Sequence, residues 1–110
     1  VNGALNDKLI VQEFLKGIEY IVDCVSFEGR HVLVGIFEYL PAGTWTEMRD
    51  GNILLPSRGR VQDILVPYVF ECLTALGIRY GASHSEAIVV DGEPCLVEVG
   101  ARMHGRKGAV

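Results

Sequence analysis

The dipeptide Asp91-Gly92 is the feature of this sequence that most restricts its fold. It lies between two apolar runs, residues 86–90 and 94–99. An Asp-Gly pair between such runs is a strong signal for a β-hairpin, because both residues tolerate the positive φ angles that a tight turn requires. The sequence therefore predicts that these two runs are paired, antiparallel strands.

A second group of strands is predicted near the start of the chain. Residues 19–26 (EYIVDCVS) and 31–39 (HVLVGIFEY) are rich in β-branched and aromatic side chains, and Glu28-Gly29 lies between them as a turn. Residues 9–15 (LIVQEFL) are apolar enough for an earlier strand, which Lys16-Gly17 would end. We therefore expect three strands before the middle of the chain.

One helix is predicted over residues 60–76. Its apolar side chains recur at helical spacing, at positions 61, 64, 65, 68, 69, 72, 73 and 76. Gly77 follows where a C-terminal cap belongs. Pro67 conflicts with a helix interior, so it is expected to kink the helix or to mark a later start. Residues 40–58 contain two prolines and two glycines and are predicted to be irregular.

The resulting order, β-β-β-α-β-β, predicts an α+β fold in which a helix packs on one face of an antiparallel sheet. The length of 110 residues, with 49% hydrophobic and 22% charged residues, fits one domain with its own core. The net charge of -4 argues against a nucleic-acid-binding surface, which is normally basic. No apolar run reaches the roughly 20 residues of a membrane span. The three cysteines form no metal-binding pattern, so reduced thiols in a cytoplasmic protein are expected.

The last hairpin carries two acidic side chains, Glu86 and Glu98, and two registers are open for it. A two-residue loop places Glu86 opposite Val97, and the two glutamates then point to opposite faces. A three-residue loop places Glu86 opposite Leu96 and His84 opposite Glu98. The glutamates are then diagonal neighbours on one face, where they can converge on one or two divalent cations.

A guanidinium follows the hairpin. Arg102 offers a planar donor fork for a phosphate or a carboxylate, and Gly100 and Gly105 leave the nearby backbone N–H groups accessible. Two acids and one arginine suggest metal-assisted phosphoryl chemistry. The residues alone also fit a solvated hairpin with a surface ion pair. His84 on its own fits an ordinary polar strand residue, and the residues leave the role of His104 open.

Three stretches of the chain resemble the ATP-grasp superfamily. HSEAIVVDGEPCLVEVGARMHG (84–105) has the family's C-terminal pattern of His-x-Glu, a hairpin, Glu, two residues, Ala-Arg and a nearby Gly. VQEFLKGIEYIVDCVSFEG (11–29) resembles the nucleotide hinge, and ALGIRYGASHSE (75–86) resembles the run that leads into the last hairpin. Together they cover residues 11–29 and 75–105, a little under half of the chain, in the family's order. The resemblance is greatest to ligases that act on amino acids, such as bacterial L-amino acid ligases and carnosine synthase.

The resemblance implies a fold, a reaction and its participants. Residues 1–110 would be a single partial domain, the core of the ATP-grasp C-terminal lobe of a longer protein. That protein would be an ATP-dependent carboxylate–amine ligase that works through an acyl phosphate. Its cofactors would be ATP and Mg²⁺ or Mn²⁺. Its partners would be small, amino-acid-like carboxylate and amine substrates, with no nucleic acid and no membrane.

The resemblance also implies roles for single residues. Glu86 and Glu98 would hold the Mg²⁺ that bridges the ATP phosphates. Arg102 would be catalytic and substrate-binding, facing the acyl phosphate or the substrate carboxylate, and the backbone of Gly105 would line the same pocket. Glu19 would accept hydrogen bonds from the ribose hydroxyls, as a carboxylate can. The adenine would be recognised by the hinge residues Gln12, Glu13, Phe14 and Leu15.

The sequence also departs from the family pattern. Gly100 stands where many relatives have an asparagine that is a further metal ligand, so a second metal would be held by fewer groups. The family's glycine-rich flap and phosphate-binding lysines lie upstream of the hinge, so this piece alone is expected to bind nucleotide weakly and to be inactive. Arg58 and Arg60 are candidates for phosphate contacts.

Three further expectations concern the chain as a whole. Apolar surface that normally packs against the missing lobe is expected to cause self-association. One alternative function is a degenerate ATP-grasp module that binds a nucleotide or a partner without catalysis. Another is a structural α+β domain in which the acids serve solubility.

Overall fold

The computed structural model describes residues 8–40 and 51–105. These residues form one antiparallel sheet of five strands, in the order β3-β2-β1-β4-β5, and one helix. The elements are β1 (Ile18–Phe27), β2 (Arg30–Tyr39), β3 (Asn52–Leu54), α1 (Arg60–Ala75), β4 (Gly81–Val90) and β5 (Glu93–Gly100). The predicted α+β class is therefore confirmed.

Both predicted hairpin turns are present, and each has two residues. β1 and β2 are joined at Glu28-Gly29, with φ angles of 54° and 81°. β4 and β5 are joined at Asp91-Gly92, with φ angles of 52° and 88°. Two successive positive φ angles are typical of a type I′ turn, whose twist matches that of the flanking strands.

Helix α1 begins at Arg60, as predicted, and passes through Pro67 without a later start. Its C-terminal end has the hydrogen bonds of a Schellman cap, because Gly77 N donates to the carbonyl of Thr74 and Ile78 N donates to that of Leu73. Gly77 makes this possible with a φ of +72°. None of the helical structure in the described ranges has the length and apolar character needed to cross a bilayer.

The hydrophobic core lies between α1 and one face of the sheet. The helix contributes a stripe of fully buried residues four positions apart, as an amphipathic helix should. Burial of each large apolar side chain stabilises the fold by roughly 1.5–3 kcal/mol. The core residues are Tyr20, Val22, Cys24, Ile36, Leu65, Val69, Leu73 and Ala87. The opposite face of the sheet carries the apolar Ile21 and Phe37 beside buried polar residues such as Asp23 and His84.

The predicted strand over residues 9–15 is wrong. These residues pair with no strand in the described structure, and Leu9, Ile10 and Val11 are 87–94% exposed. An apolar run becomes a strand only where a neighbouring edge accepts its backbone hydrogen bonds. The third strand of the first group is instead β3, which pairs with β2 and lies within the stretch predicted to be irregular. The other part of that stretch, residues 41–50, lies outside the described residues.

Candidate functional site

Glu86 and Glu98 are direct cross-strand partners on the face opposite α1. Ala87 pairs with Leu96, but Glu86 pairs with Glu98, so Val97 is an extra residue in β5. Such a β-bulge shifts the register of the remaining strand by one residue. Opposed residues of an antiparallel pair have Cβ atoms about 5 Å apart. The two carboxylates therefore share one small region of the sheet.

Neither predicted register of this hairpin is correct. The loop has two residues, yet the bulge prevents Glu86 from pairing with Val97. The glutamates share a face, as the longer loop predicted, but as direct partners and not as diagonal neighbours. His84 pairs with Gly100 and not with Glu98.

Glu86 is held in its ionised form by two neighbours. The Tyr39 hydroxyl donates to Glu86 Oε1 over 2.7 Å, and His84 Nε2 lies 3.3 Å from the same oxygen. Burial raises the pKa of Glu86, but these hydrogen bonds and the nearby His84 outweigh it, so the pKa is lowered from its ordinary value of 4.5. One ligand atom each from His84, Glu86 and Glu98 lies within 4.8 Å of the others. Carboxylate oxygens of this kind are suitable ligands for a divalent cation.

A buried aspartate supports this cluster from β1. Asp23 is 3% exposed, and its Oδ1 lies 2.9 Å from Nδ1 of His84, which is 2% exposed. Its second oxygen accepts a hydrogen bond of 3.4 Å from the backbone N–H of His104. Asp23 therefore ties β4 to the segment that follows β5.

The segment after β5 is held over the same face of the sheet. The His104 ring stacks on Phe37, with centroids 5.7 Å apart, and its Nε2 lies 3.1 Å from the side-chain amide of Asn52. Its centroid is 5.2 Å from that of His84. β2, β3 and β4 thus fix the position of His104 and, with it, the loop that carries the predicted arginine.

Arg102 and Gly105 lie next to each other in this loop. Arg102 Nη1 donates to the carbonyl of Met103 over 3.1 Å, and a Cβ added to Gly105 would be 3.8 Å from the same nitrogen. The side chain passes over Gly100, where an added Cβ would be 3.5 Å from Arg102 Cγ. The guanidinium is exposed beside the end of β5.

The predicted hinge residues gather around a cavity of about 520 Å³ at the other end of the hairpin. Gly17 brings the hinge against β4, because a Cβ there would be only 2.8 Å from Ile88 Cγ2. The cavity is lined by Gln12, Glu13, Phe14, Leu15, Lys16, Gly17, Glu19, Ile88, Cys95, Leu96 and Val97. All five residues predicted to bind the nucleotide are among them.

Glu19 connects this cavity to the carboxylate cluster. It lines the cavity, and its side chain also lies within hydrogen-bonding reach of Glu86. Alternation along β1 places Glu19 on the same face of the sheet as Asp23. Glu19 therefore makes the hinge cavity continuous with the two opposed glutamates.

Arg58 and Arg60 are not part of this region. Arg58 lines a separate cavity of about 640 Å³ between α1 and β2, together with His31 and Phe70. Arg60 is the exposed first residue of α1. Both belong to the helix side of the sheet, whereas the glutamates lie on the opposite face.

Sequence reasoning missed the residues that support the cluster, above all Asp23, Tyr39 and Asn52. Asp23 could have been predicted to have a partner, because a charged residue inside an apolar strand is normally buried only when it is paired. Tyr39 and Asn52 could not, because their partners are distant in the sequence.

Comparison with known proteins finds relatives of the chain that are synthases. No protein-family model matches the chain. It is 28% identical over 109 residues to dapdiamide A synthase of Enterobacter agglomerans, covering 94% of this chain and 24% of that protein. It is 30% identical over 100 residues to carnosine synthase 1 of Gallus gallus, covering 88% of this chain and 10% of that protein.

Solved structures agree with these relatives. The L-amino acid ligase from Bacillus licheniformis matches with a TM-score of 0.74 and 26% identity, over 84% of this chain and 24% of that one. The D-alanine–D-alanine ligase from Bacillus anthracis complexed with ATP matches in fold with a TM-score of 0.55 and 21% identity, over 80% of this chain and 28% of that one. The chain spans about a quarter or less of the curated relatives' lengths. The relatives and the fold together show that the chain belongs to the ATP-grasp superfamily and forms its C-terminal subdomain.

Proposed function

We propose that this chain is part of an ATP-dependent carboxylate–amine ligase that activates an amino-acid-like carboxylate as an acyl phosphate. The observation that carries the proposal is the direct pairing of Glu86 with Glu98 beside the hinge cavity. A nucleotide in that cavity would have its phosphates near the two carboxylates. The relatives support the reaction class, since they are synthases and ligases.

The hinge cavity suits a nucleoside. Phe14, Leu15 and Ile88 provide apolar surface for a planar base, and the backbone of residues 13–15 provides N–H and C=O groups for its edge. Glu19 lies at the boundary between the cavity and the carboxylate cluster, where its oxygens can accept hydrogen bonds from sugar hydroxyls. This arrangement would orient the phosphates toward β5.

The donor set on the sheet fits a divalent cation. Glu86 and Glu98 would hold Mg²⁺ or Mn²⁺, and Tyr39 keeps Glu86 ionised and correctly oriented. When bound, the cation would offset negative charge on the phosphates and on the phosphoryl group during transfer.

Arg102 and Gly105 would contact the activated carboxylate. The guanidinium can donate two parallel hydrogen bonds to an acyl phosphate or a carboxylate. The Met103 carbonyl is its present partner, and this single, exposed bond can be exchanged for substrate oxygens at little cost. The hydrogen bonds from His104 to Asp23 and Asn52 would keep the loop in position while the amine attacks.

Calorimetric titration of the protein with a non-hydrolysable ATP analogue, with and without Mg²⁺, tests the proposal. We expect Mg²⁺-dependent binding that is lost in Glu98→Ala. Glu93→Ala is the matched control, because Glu93 is an exposed acid of the same hairpin next to the turn. If Glu98→Ala binds as tightly as the control, the two opposed carboxylates do not hold the nucleotide's cation and the proposal is wrong.

A further inference from the structure

His84 lies within the carboxylate cluster, beside the two glutamates that would hold the cation. Its ring is 2% exposed, and it lies between two acids, with Nδ1 2.9 Å from Asp23 Oδ1 and Nε2 3.3 Å from Glu86 Oε1. One atom each from His84, Glu86 and Glu98 lies within 4.8 Å of the others. Three ligand atoms this close can bind a single cation.

The hydrogen bond to Asp23 determines which nitrogen of His84 is available. A carboxylate only accepts hydrogen bonds, so Nδ1 donates its proton to Asp23. In the neutral ring, Nε2 then carries a lone pair that faces Glu86 Oε1. Two facing acceptors 3.3 Å apart are stable only with a positive centre shared between them, either a proton on Nε2 or a cation bound by both.

We propose that His84 Nε2 is a third protein ligand of the cation held by Glu86 and Glu98, and that Asp23 is its positioning residue. This inference rests on the proposed function, because it concerns the same cation. Histidines that bind metals almost always donate their other ring N–H to a carboxylate or a carbonyl, which fixes the tautomer and strengthens the ligand. The bond between His84 and Asp23 has this arrangement.

Two neighbouring features agree with a ligand at this position. The cross-strand partner of His84 is Gly100, which has no side chain to compete with a ligand beside the ring. The other nearby histidine, His104, has its Nε2 engaged with Asn52 and its ring stacked on Phe37. His84 is therefore the histidine whose Nε2 faces the carboxylates.

A nitrogen ligand would change the metal preference of the site. Carboxylates alone suit both Mg²⁺ and Mn²⁺, whereas an added imidazole binds transition metals better than it binds Mg²⁺. The ratio of Mn²⁺ affinity to Mg²⁺ affinity should therefore fall when His84 is replaced.

Electron spin-echo spectroscopy of Mn²⁺ bound to the wild-type protein tests the ligand directly. We expect a nitrogen modulation that changes when histidine is replaced by ¹⁵N-histidine. This arm needs no substitution, so it does not depend on whether a variant folds. Absence of a histidine nitrogen signal from bound Mn²⁺ overturns the proposal.

Variants provide the second arm, with Mn²⁺ affinity measured by calorimetry and compared with that for Mg²⁺. His84→Gln should weaken Mn²⁺ binding about 10–100-fold with a smaller effect on Mg²⁺, and Asp23→Asn should cause an intermediate loss. His31→Gln is the matched control, because His31 bonds Ser26 and Thr74 on the helix side of the sheet.

The outcomes separate this inference from the proposed function. If His84→Gln binds Mn²⁺ like the control while Glu98→Gln loses it, His84 is not a ligand, but the carboxylate site stands. If the wild-type protein binds neither Mn²⁺ nor Mg²⁺, with or without the ATP analogue, both the ligand assignment and the metal part of the proposed function are wrong.

Discussion

Glu86 lies directly opposite Glu98 because Val97 is an extra residue in β5. A regular two-residue hairpin would have turned the two carboxylates to opposite faces of the sheet. The bulge therefore creates the cluster, at the cost of placing two acids of like charge against each other. Like charges opposed across strands destabilise a sheet. Such a pair is expected where a bound cation reverses the effect.

Glu98→Gln should accordingly make the metal-free protein more stable and reduce the stabilisation that a bound cation gives. Removing one of two opposed charges should stabilise the apo protein by up to about 1 kcal/mol. The increase in stability that Mg²⁺ gives the wild-type protein should be absent. Urea unfolding with and without Mg²⁺ measures both, with Glu93→Gln as the control. A variant that is destabilised without metal would contradict this account of the pair.

Tyr39→Phe should lower stability at neutral pH and have little effect in acid. The Tyr39 hydroxyl helps to hold the pKa of Glu86 below its ordinary 4.5. Because this pKa is lower in the folded protein than in the unfolded protein, ionised Glu86 stabilises the fold at pH values above the unfolded pKa. The contribution is lost as the pH falls through the folded pKa. We expect a loss of about 1 kcal/mol above pH 5 that disappears well below pH 4.5. Urea unfolding across this range, compared with Tyr80→Phe, measures it. A difference that stays constant with pH would contradict it.

The hairpins and the helix could be predicted because their signals are local. Asp91-Gly92 specifies its turn through its own φ preferences, and Gly77 caps α1 through contacts within one turn. The strand predicted at residues 9–15 fails because pairing depends on a partner edge elsewhere in the chain. β3 was missed because its three residues are too few to show the alternation of polar and apolar side chains that indicates a strand. It forms by pairing with β2.

The acids of the candidate site could also be predicted, but their arrangement could not. No residue of the sequence indicates the bulge at Val97, so both registers predicted for the hairpin were wrong. The support comes from residues far apart in the sequence: 61 positions separate Asp23 from His84, and 47 separate Tyr39 from Glu86. Such contacts arise only once the order of the strands in the sheet is known.

Asp23→Ala should be the most destabilising substitution in the cluster. It removes a buried carboxylate that accepts from His84 and from the His104 backbone, and it leaves both donors without their partner. Leaving buried donors without their partner costs about 1–3 kcal/mol. Glu71→Ala, an exposed acid on α1, should change stability by less than about 0.5 kcal/mol. Urea unfolding at pH 7 measures both, and equal effects would contradict the role of Asp23.

The thiols of Cys24 and Cys95 should differ widely in reactivity. Cys95 is exposed and lines the hinge cavity, whereas Cys24 is fully buried and its pKa is raised to about 12, mainly by burial. Because the thiolate is the reactive form, Cys24 should resist alkylation at pH 8 until the protein unfolds. Iodoacetamide labelling followed by peptide mass mapping measures each site. An ATP analogue should slow labelling of Cys95. Unchanged labelling at saturating analogue would place the nucleotide elsewhere.

Gly17→Ala should weaken nucleotide binding while leaving the core intact. A Cβ at Gly17 would collide with the carbonyl oxygen of Val89 and lie 2.8 Å from Ile88 Cγ2, so the hinge must move away from β4. Because the hinge forms one wall of the cavity, affinity for the ATP analogue should fall at least about tenfold, which corresponds to 1.4 kcal/mol. In Gly51→Ala, the added Cβ would lie 3.4 Å from Leu40, away from the cavity, and affinity should not change. For both variants, calorimetry measures the affinity for the ATP analogue and circular dichroism checks that the protein is folded. Undiminished affinity in a folded Gly17→Ala protein would mean that the base does not bind against this hinge.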